Sequence, residues 1–402
     1  MSEAARRRPG VAFVLVVVLI DVMGFSLIIP VMPALVGQFV PGRDALSYWF
    51  GTLAAAYGIM QFFAAPVLGA LSDRFGRRPV LLISITGLGI DFILQALAPS
   101  LGVLLAARLI GGMTAASFSV ANAYIADVTP PDGRSKAFGL LGAVFGIGFI
   151  LGPMIGGLLG ESDVRLPFFA AAGLSLVNAL YGLFVLPESL PRDRRTPFDW
   201  RKANPFAALT NLSAIKSIGP LVAVFALTNL ANFILHSTWV LYTEARFAWT
   251  PSDNGIALFA VGVAAAVMQA GLLGMLLKRF GEPALAIVGL AVGVLAFLFY
   301  GLATQGWMMY AIILGTMLSG AAPPALQGIV SKAVSATEQG ITMGALSGLA
   351  SVMQIAAPIL GTVVFAQVAD LPRSDWRIGA TFFLSAGLQA AALAVAWRAL
   401  RR

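Results

Sequence analysis

Cysteine is absent from this chain and histidine occurs once, at His236. Disulfides, thiol nucleophiles and thiolate-bound metals are therefore excluded, and one imidazole is too few for a His-based metal centre. Charge is scarce as well. Asp, Glu, Lys and Arg make up 11% of the 402 residues, less than half the share of roughly 25% found in soluble domains. With 59% hydrophobic residues and a mean hydropathy of +0.88, the chain does not read as a soluble globule. No nucleophile with a paired base and no Walker loop is visible, and the Gly-rich stretches lie inside apolar runs rather than after strands. Neither an enzyme nor a resident cofactor or metal is expected. A non-transporting sensor or scaffold is not expected either, since no soluble signalling domain can be made out and such a protein would not need charges inside the bilayer.

What is present is a series of long apolar runs. A spanning helix needs roughly 20 apolar residues. Runs bounded by charge, Pro or Gly predict spans at 11–36, 47–71, 79–98, 102–127, 136–160, 165–187, 218–243, 254–277, 283–304, 307–331, 340–369 and 374–398. The expected fold class is an all-α polytopic membrane protein with 12 transmembrane helices. Arg6, Arg7 and Arg8 ahead of Val11 to Ile20 imitate a signal peptide, but Asp21 interrupts the run and no small-residue cleavage site follows. A retained first helix is expected.

The 26 Lys and Arg residues are unevenly divided by these spans. Twenty fall on the side of the N-terminus, five (Arg43, Arg165, Arg246, Arg373 and Arg377) on the other, and Arg108 inside a span. By the positive-inside rule both termini are expected in the cytoplasm of a cell whose inner membrane holds the protein. The formal charge of +8 is then a topology signal, and the expected partner is a lipid bilayer rather than nucleic acid.

The chain also repeats itself. Gly69, Leu71, Arg74, Phe75 and Gly76 recur 205 positions later as Gly274, Leu276, Arg279, Phe280 and Gly281, and the same shift carries Pro153 and Gly156 onto Pro358 and Gly361. The domains expected are an N-terminal six-helix bundle over 1–187, a cytoplasmic linker over 188–217 and a C-terminal six-helix bundle over 218–402. Parallel repeats of this kind hold a substrate between the halves near the bilayer midplane.

Asp21, Asp91 and Arg108 are the only charges placed well inside spans. Each costs about 2.5–3.5 kcal/mol at the bilayer centre and should face the bundle interior. Carboxyls balanced between burial and a nearby Arg suit proton coupling, while a permanent Asp91–Arg108 ion pair is the alternative. Asp73 closes the second span, where a carboxylate opposes the helix dipole unless Arg77 or another helix neutralises it. Gly142, Gly146, Gly152 and Gly156 with Pro153 would let the fifth span approach a neighbour closely and bend. Tyr57, Gln61, Asn229, Asn232, His236, Gln269, Gln327 and Gln354 are candidate cavity-lining groups for an amphiphilic substrate, with interhelical hydrogen bonding as their alternative use.

Several of these patterns together resemble the major facilitator superfamily, in its twelve-helix drug:proton antiporter branch. Gly69-x-Leu-x-Asp73-Arg-x-Gly76-Arg77-Arg78 is similar to the signature loop between helices 2 and 3. Leu105-x-x-Arg108-x-x-x-Gly112 is similar to the helix 4 motif, and Gly142 to Gly157 to the antiporter motif of helix 5. Asp21-x-x-Gly24 with Pro30 and Pro33 resembles the first helix of the tetracycline-efflux group. The resemblance implies export of a tetracycline-type or multidrug substrate in exchange for protons, by a monomer working through alternating access. It also implies a cytoplasmic gate of Asp73, Arg77 and Asp127, near the start of helix 11 at Gly340. The sequence departs from that group at Gly293 and Ala265, where tetracycline exporters carry an acidic residue and a His that serve a cationic metal chelate. Proton-coupled uptake of a nutrient is the alternative function.

Overall fold

Apolar runs of this length have no water to satisfy their backbone groups, and helix is the local structure that satisfies them internally. The protein is described by a computed structural model covering residues 10–130, 133–200, 203–206, 218–334 and 339–400. Arg6 to Arg8, much of the linker and the last two arginines lie outside the described residues. Among the described residues every regular element is helical.

Contacts divide the chain into two units, one of Met1–Leu35 with Ala56–Asn204 and one of Val36–Ala55 with Pro205–Arg402. The first contains α1 (Val11–Leu27), most of α3 (Arg43–Phe75), α4 (Arg77–Ala96), α5 (Leu101–Thr114), α6 (Ser117–Val128), α7 (Arg134–Ser162) and α8 (Leu166–Phe184). The second contains the start of α3, α9 (Gly219–Phe247), α10 (Pro251–Ala266), α11 (Leu273–Leu302), α12 (Gly306–Gly315), α13 (Ala322–Lys332), α14 (Gln339–Ala366) and α15 (Ala380–Leu400), and the boundary between the units falls within α2 (Met32–Gly37), after Leu35.

Nine helices among the described residues are long and apolar enough to cross a membrane, or ten with the pair Gly306–Gly315 and Met317–Lys332, which is bent by 46°. The 17-residue α1 is one further apolar helix. The continuous rod Pro251–Leu302 is divided at Gly281, whose φ of 76° breaks the helix. This arrangement is consistent with twelve spans.

The structure differs from the sequence expectation where helices break. The first span stops at Leu27, because Pro30 and Pro33 have no N–H to continue the ladder, and resumes as α2. The fourth span is interrupted at Ala115 and Ala116, with ψ values of 68° and 2°. Val267–Leu272 between α10 and α11 is π-helical. The seventh span continues through Phe247, so Glu244 lies in its last turn rather than beyond it.

In the first unit, Val14, Val17, Val18 and Val22 of α1 form a core with Val80, Leu81 and Ile85 of α4, Val120, Tyr124 and Ile125 of α6, and Leu141 of α7. The duplication is visible in how each unit closes its third span. The Ala98 carbonyl accepts from Arg165 at 3.1 Å, and the Ala303 carbonyl, 205 positions on, accepts from Arg246 at 3.0 Å. Two of the five cations on the sparsely charged side therefore cap carbonyls past helix ends, where cations are favourable.

Candidate functional site

Four polar side chains gather inside the first unit. Asp91 of α4 is fully buried and forms an ion pair with Arg108 of α5. Its other oxygen accepts from Gln95 Nε2 at 2.8 Å. The Arg108 guanidinium lies over the Tyr57 ring, 4.8 Å from its centre, and Phe25 of α1 packs on the same ring at 6.0 Å. Two glycines permit this approach: a Cβ at Gly111 would overlap the Asp91 carboxyl, and one at Gly112 the Tyr57 backbone. The Ser117 hydroxyl stands beside the carboxyl of Asp21 in α1. Among the described residues Asp21 has no ion-pair partner. The three interior charges are thus split, two neutralising each other and the third left without a cation.

A second network sits where α3 meets α4. Gly76, with φ of 106°, makes the turn, a conformation that a Cβ would strain. Arg77 donates through Nη1 to Asp73 at 2.6 Å and to the Ser72 hydroxyl at 2.6 Å, and through Nε to Asp127 of α6 at 2.9 Å. Asp127 also accepts from the Ser189 hydroxyl at 3.1 Å. Two cations at the N-terminus of α4 oppose its dipole, and Glu188 offsets them by accepting the Arg77 and Arg78 N–H groups at 2.8 and 3.3 Å. Glu188 was not singled out in the sequence; it lies 111 residues from Arg77, and no local spacing marks it.

The fifth-span glycines form a groove for α1. A Cβ at Gly148 would press on Val22, one at Gly152 would overlap Ser26, and one at Gly156 would overlap the Leu27 backbone. Ser26 Oγ crosses the contact to the Gly148 carbonyl at 3.0 Å. Gly142 and Gly146 have nothing within 4 Å of an added Cβ, so the tight contact uses Gly148 in their place. The repeat preserves the device: Gly361 of α14 packs on Ile234, Ser237 and Thr238 of α9. Gly156→Val is expected to separate α1 from α7, destabilising the protein by about 1–3 kcal/mol and lowering export. Gly142→Ala should do neither, as thermal unfolding in detergent and drug efflux will measure.

The uncharged polar residues are dispersed. Gln61 is half-buried one turn beyond Tyr57. Asn229 and Asn232 each donate back to a carbonyl of α9 at 2.8 Å, and His236 packs edge-on against Phe233. Thr243, on the same sequence face, is instead buried in a 2.7 Å hydrogen bond to Asn254. Gln269, Gln327 and Gln354 are exposed, and Gln269 lies within the π-helical turn. Gly293 is buried beneath Gln389, whose Nε2 lies 2.8 Å from where a Cβ would stand.

A family model described as Major Facilitator Superfamily matches residues 14–358. The chain belongs to that superfamily. Among curated proteins it is 39% identical over 368 residues to the class C tetracycline resistance protein of Escherichia coli, covering 91% of this chain and 92% of that protein. It is 36% identical over 372 residues to the class B protein of Escherichia coli, covering 92% of each. Among solved structures, the human organic anion transporter MFSD10 superposes with a TM-score of 0.71 at 25% identity, over 98% of this chain and 100% of that one. In this superfamily member the second half carries a charge-inverted copy of the α3–α4 network. The shift of 205 takes Asp73, Arg77 and Asp127 to Lys278, Glu282 and Lys332. Lys332 Nζ lies 2.8 Å from Glu282 Oε1, beside Gly281 in its left-handed conformation. Glu282 suits a helix N-terminus without help, whereas Arg77 relies on Glu188. The repeat offset was the signal that could have found this pair.

Proposed function

We propose that this major facilitator exports an amphiphilic drug, of tetracycline or multidrug type, in exchange for protons by alternating access. The observation that carries the reading is Asp21, a carboxyl within an apolar helix with no ion-pair partner among the described residues, on the same helix that the fifth-span glycines grip. A carboxyl that gains and loses a proton as access alternates couples the gradient to drug movement, and the neighbouring Asp91–Arg108 pair stays neutral throughout. Asp73, Arg77 and Asp127 act as the cytoplasmic gate. The protein works as a monomer in a bacterial inner membrane, with both termini cytoplasmic, as the distribution of Lys and Arg supports. The relatives named as tetracycline resistance proteins support export over uptake.

Gln389 over Gly293 supplies an amide where the resembling group carries an acid, so the substrates include amphiphiles other than metal-chelated tetracyclines. The test is a susceptibility panel of tetracyclines and unrelated amphiphilic drugs on expressing cells, paired with proton release from everted vesicles on adding each drug. Raised resistance with drug-dependent proton release is expected for at least one compound. Accumulation in intact cells, or no proton movement with any drug, would overturn the proposal.

A further inference from the structure

The fourth span breaks without a proline. Thr114 closes α5 with its hydroxyl on the carbonyls of Ile110 and Gly111, at 3.0 and 3.2 Å, a local competition that bends helices. The Ala116 N–H then turns back to the Thr114 carbonyl at 2.8 Å, and α6 begins afresh at Ser117 with Val120 N–H on the Ala116 carbonyl at 3.0 Å. A new helix start leaves the N–H groups of its first turn without intrahelical acceptors and gives that end partial positive charge. Here that end lies within the apolar bundle. Ser117 is 3% exposed and its hydroxyl has no hydrogen-bond partner; Ala116 and Val120, on either side of it, share one buried core with Val18 and Val22, on either side of Asp21 in α1, which brings the hydroxyl up to the Asp21 carboxyl.

We infer that the broken fourth span is a device for Asp21: the half-helix start at Ser117, with its hydroxyl, holds the Asp21 carboxylate in place of a cation. Ser117 is a positioning residue, and the inference rests on the reading of Asp21 as the proton-exchanging group. An Arg partner would lock the carboxylate, whereas the end of a helix with one hydroxyl stabilises it while leaving protonation available. Half-helix starts facing anionic groups serve the same purpose in other transporters with discontinuous helices.

The groups around Asp21 are few. From α3 the Tyr57 ring packs on Phe25, one turn along α1 from Asp21, with Arg108 over that ring and Asp91 paired to Arg108. The ionisable side chains of α7 are Arg134, Lys136 and Glu161, near its two ends. In α6 Tyr124 and Asp127 lie two turns or more beyond Ser117, and α8 carries only Tyr181, near its end. The buried Asn178 amide of α8 donates to the Val17 carbonyl at 2.9 Å, one turn before Asp21, and Ser117 is the polar group beside the carboxyl itself.

The experiment is an infrared difference titration of the purified full-length protein, with Asp21→Asn identifying the carboxyl band by its loss. Ser117→Ala and Ser117→Gly are expected to raise the titration midpoint by about half a pH unit or more, roughly threefold in proton affinity, because the anion loses a stabilising group. Ser117→Thr, which keeps the hydroxyl, should restore it. Unchanged midpoints in both hydroxyl-free variants would overturn the role of Ser117 and leave Asp21 as the exchanging group. A spectrum without a titrating band that Asp21→Asn removes would overturn both.

Discussion

Arg77→Ala is expected to lower drug export at least tenfold while the protein still inserts at its normal level. The side chain is 9% exposed and holds Asp73 and Asp127, at 39% and 19% exposure, together with Ser72. Removing it leaves two carboxylates facing each other near a helix N-terminus that Glu188 already occupies. Breaking a buried pair costs about 3–5 kcal/mol, and the partial exposure of these acids brings the cost toward the lower end. A tenfold change in a conformational equilibrium needs only about 1.4 kcal/mol, so the loss suffices to unbalance alternating access. Arg77→Lys should recover little, because an ammonium cannot reproduce the forked contact to two acids and a hydroxyl. The inverted copy supplies the contrast. Lys332 is 73% exposed, such a pair is worth about 0–1 kcal/mol, and Glu282→Gln is expected to reduce export less than about fivefold. Uptake by everted vesicles, normalised to protein in the membrane, measures both. Normal uptake by Arg77→Ala would remove the gate assignment.

Asp21→Asn is expected to abolish drug-dependent proton release while the variant still exchanges labelled drug across the membrane without a gradient. The substitution is nearly isosteric and breaks no ion pair, so folding and drug binding should survive. Asp91→Asn makes the opposite case. It leaves Arg108 as an uncompensated charge in a site where that residue is 6% exposed, at a cost of about 3–5 kcal/mol. Its expected signature is low abundance and early thermal unfolding rather than selective uncoupling. If gradient-driven efflux by Asp21→Asn equals that of the unaltered protein, another group carries the proton.

Much of this was legible before any coordinates. Helical class and duplication follow from apolar run length and from Gly76 recurring as Gly281, both of which adopt the left-handed conformation. Asp21, Asp91 and Arg108 stood out because charge inside a span is costly enough to be rare. The break at Ala115 and Ala116 was not legible, since alanine favours helix and no proline or glycine stands at the break. Nor was the exchange of Gly142 for Gly148 in the groove, because four-residue spacing names a stripe without saying which part of it meets a neighbour.

Alone, the sequence determined that the chain is a bilayer-spanning duplication and which few residues carry charge into the apolar interior. Those properties are local sums of hydropathy, and they need no knowledge of what touches what. Only the tertiary structure decided that Asp91 and Arg108 neutralise each other while Asp21 has the Ser117 hydroxyl for a neighbour, that Glu188 caps α4 from 111 residues away, and that Gln389 covers Gly293. Partner choice among buried polar groups depends on distances of a few ångströms between helices far apart in sequence. The physical reason is that a charge costs much the same wherever it is buried, while its neutralisation depends on the one group packed against it.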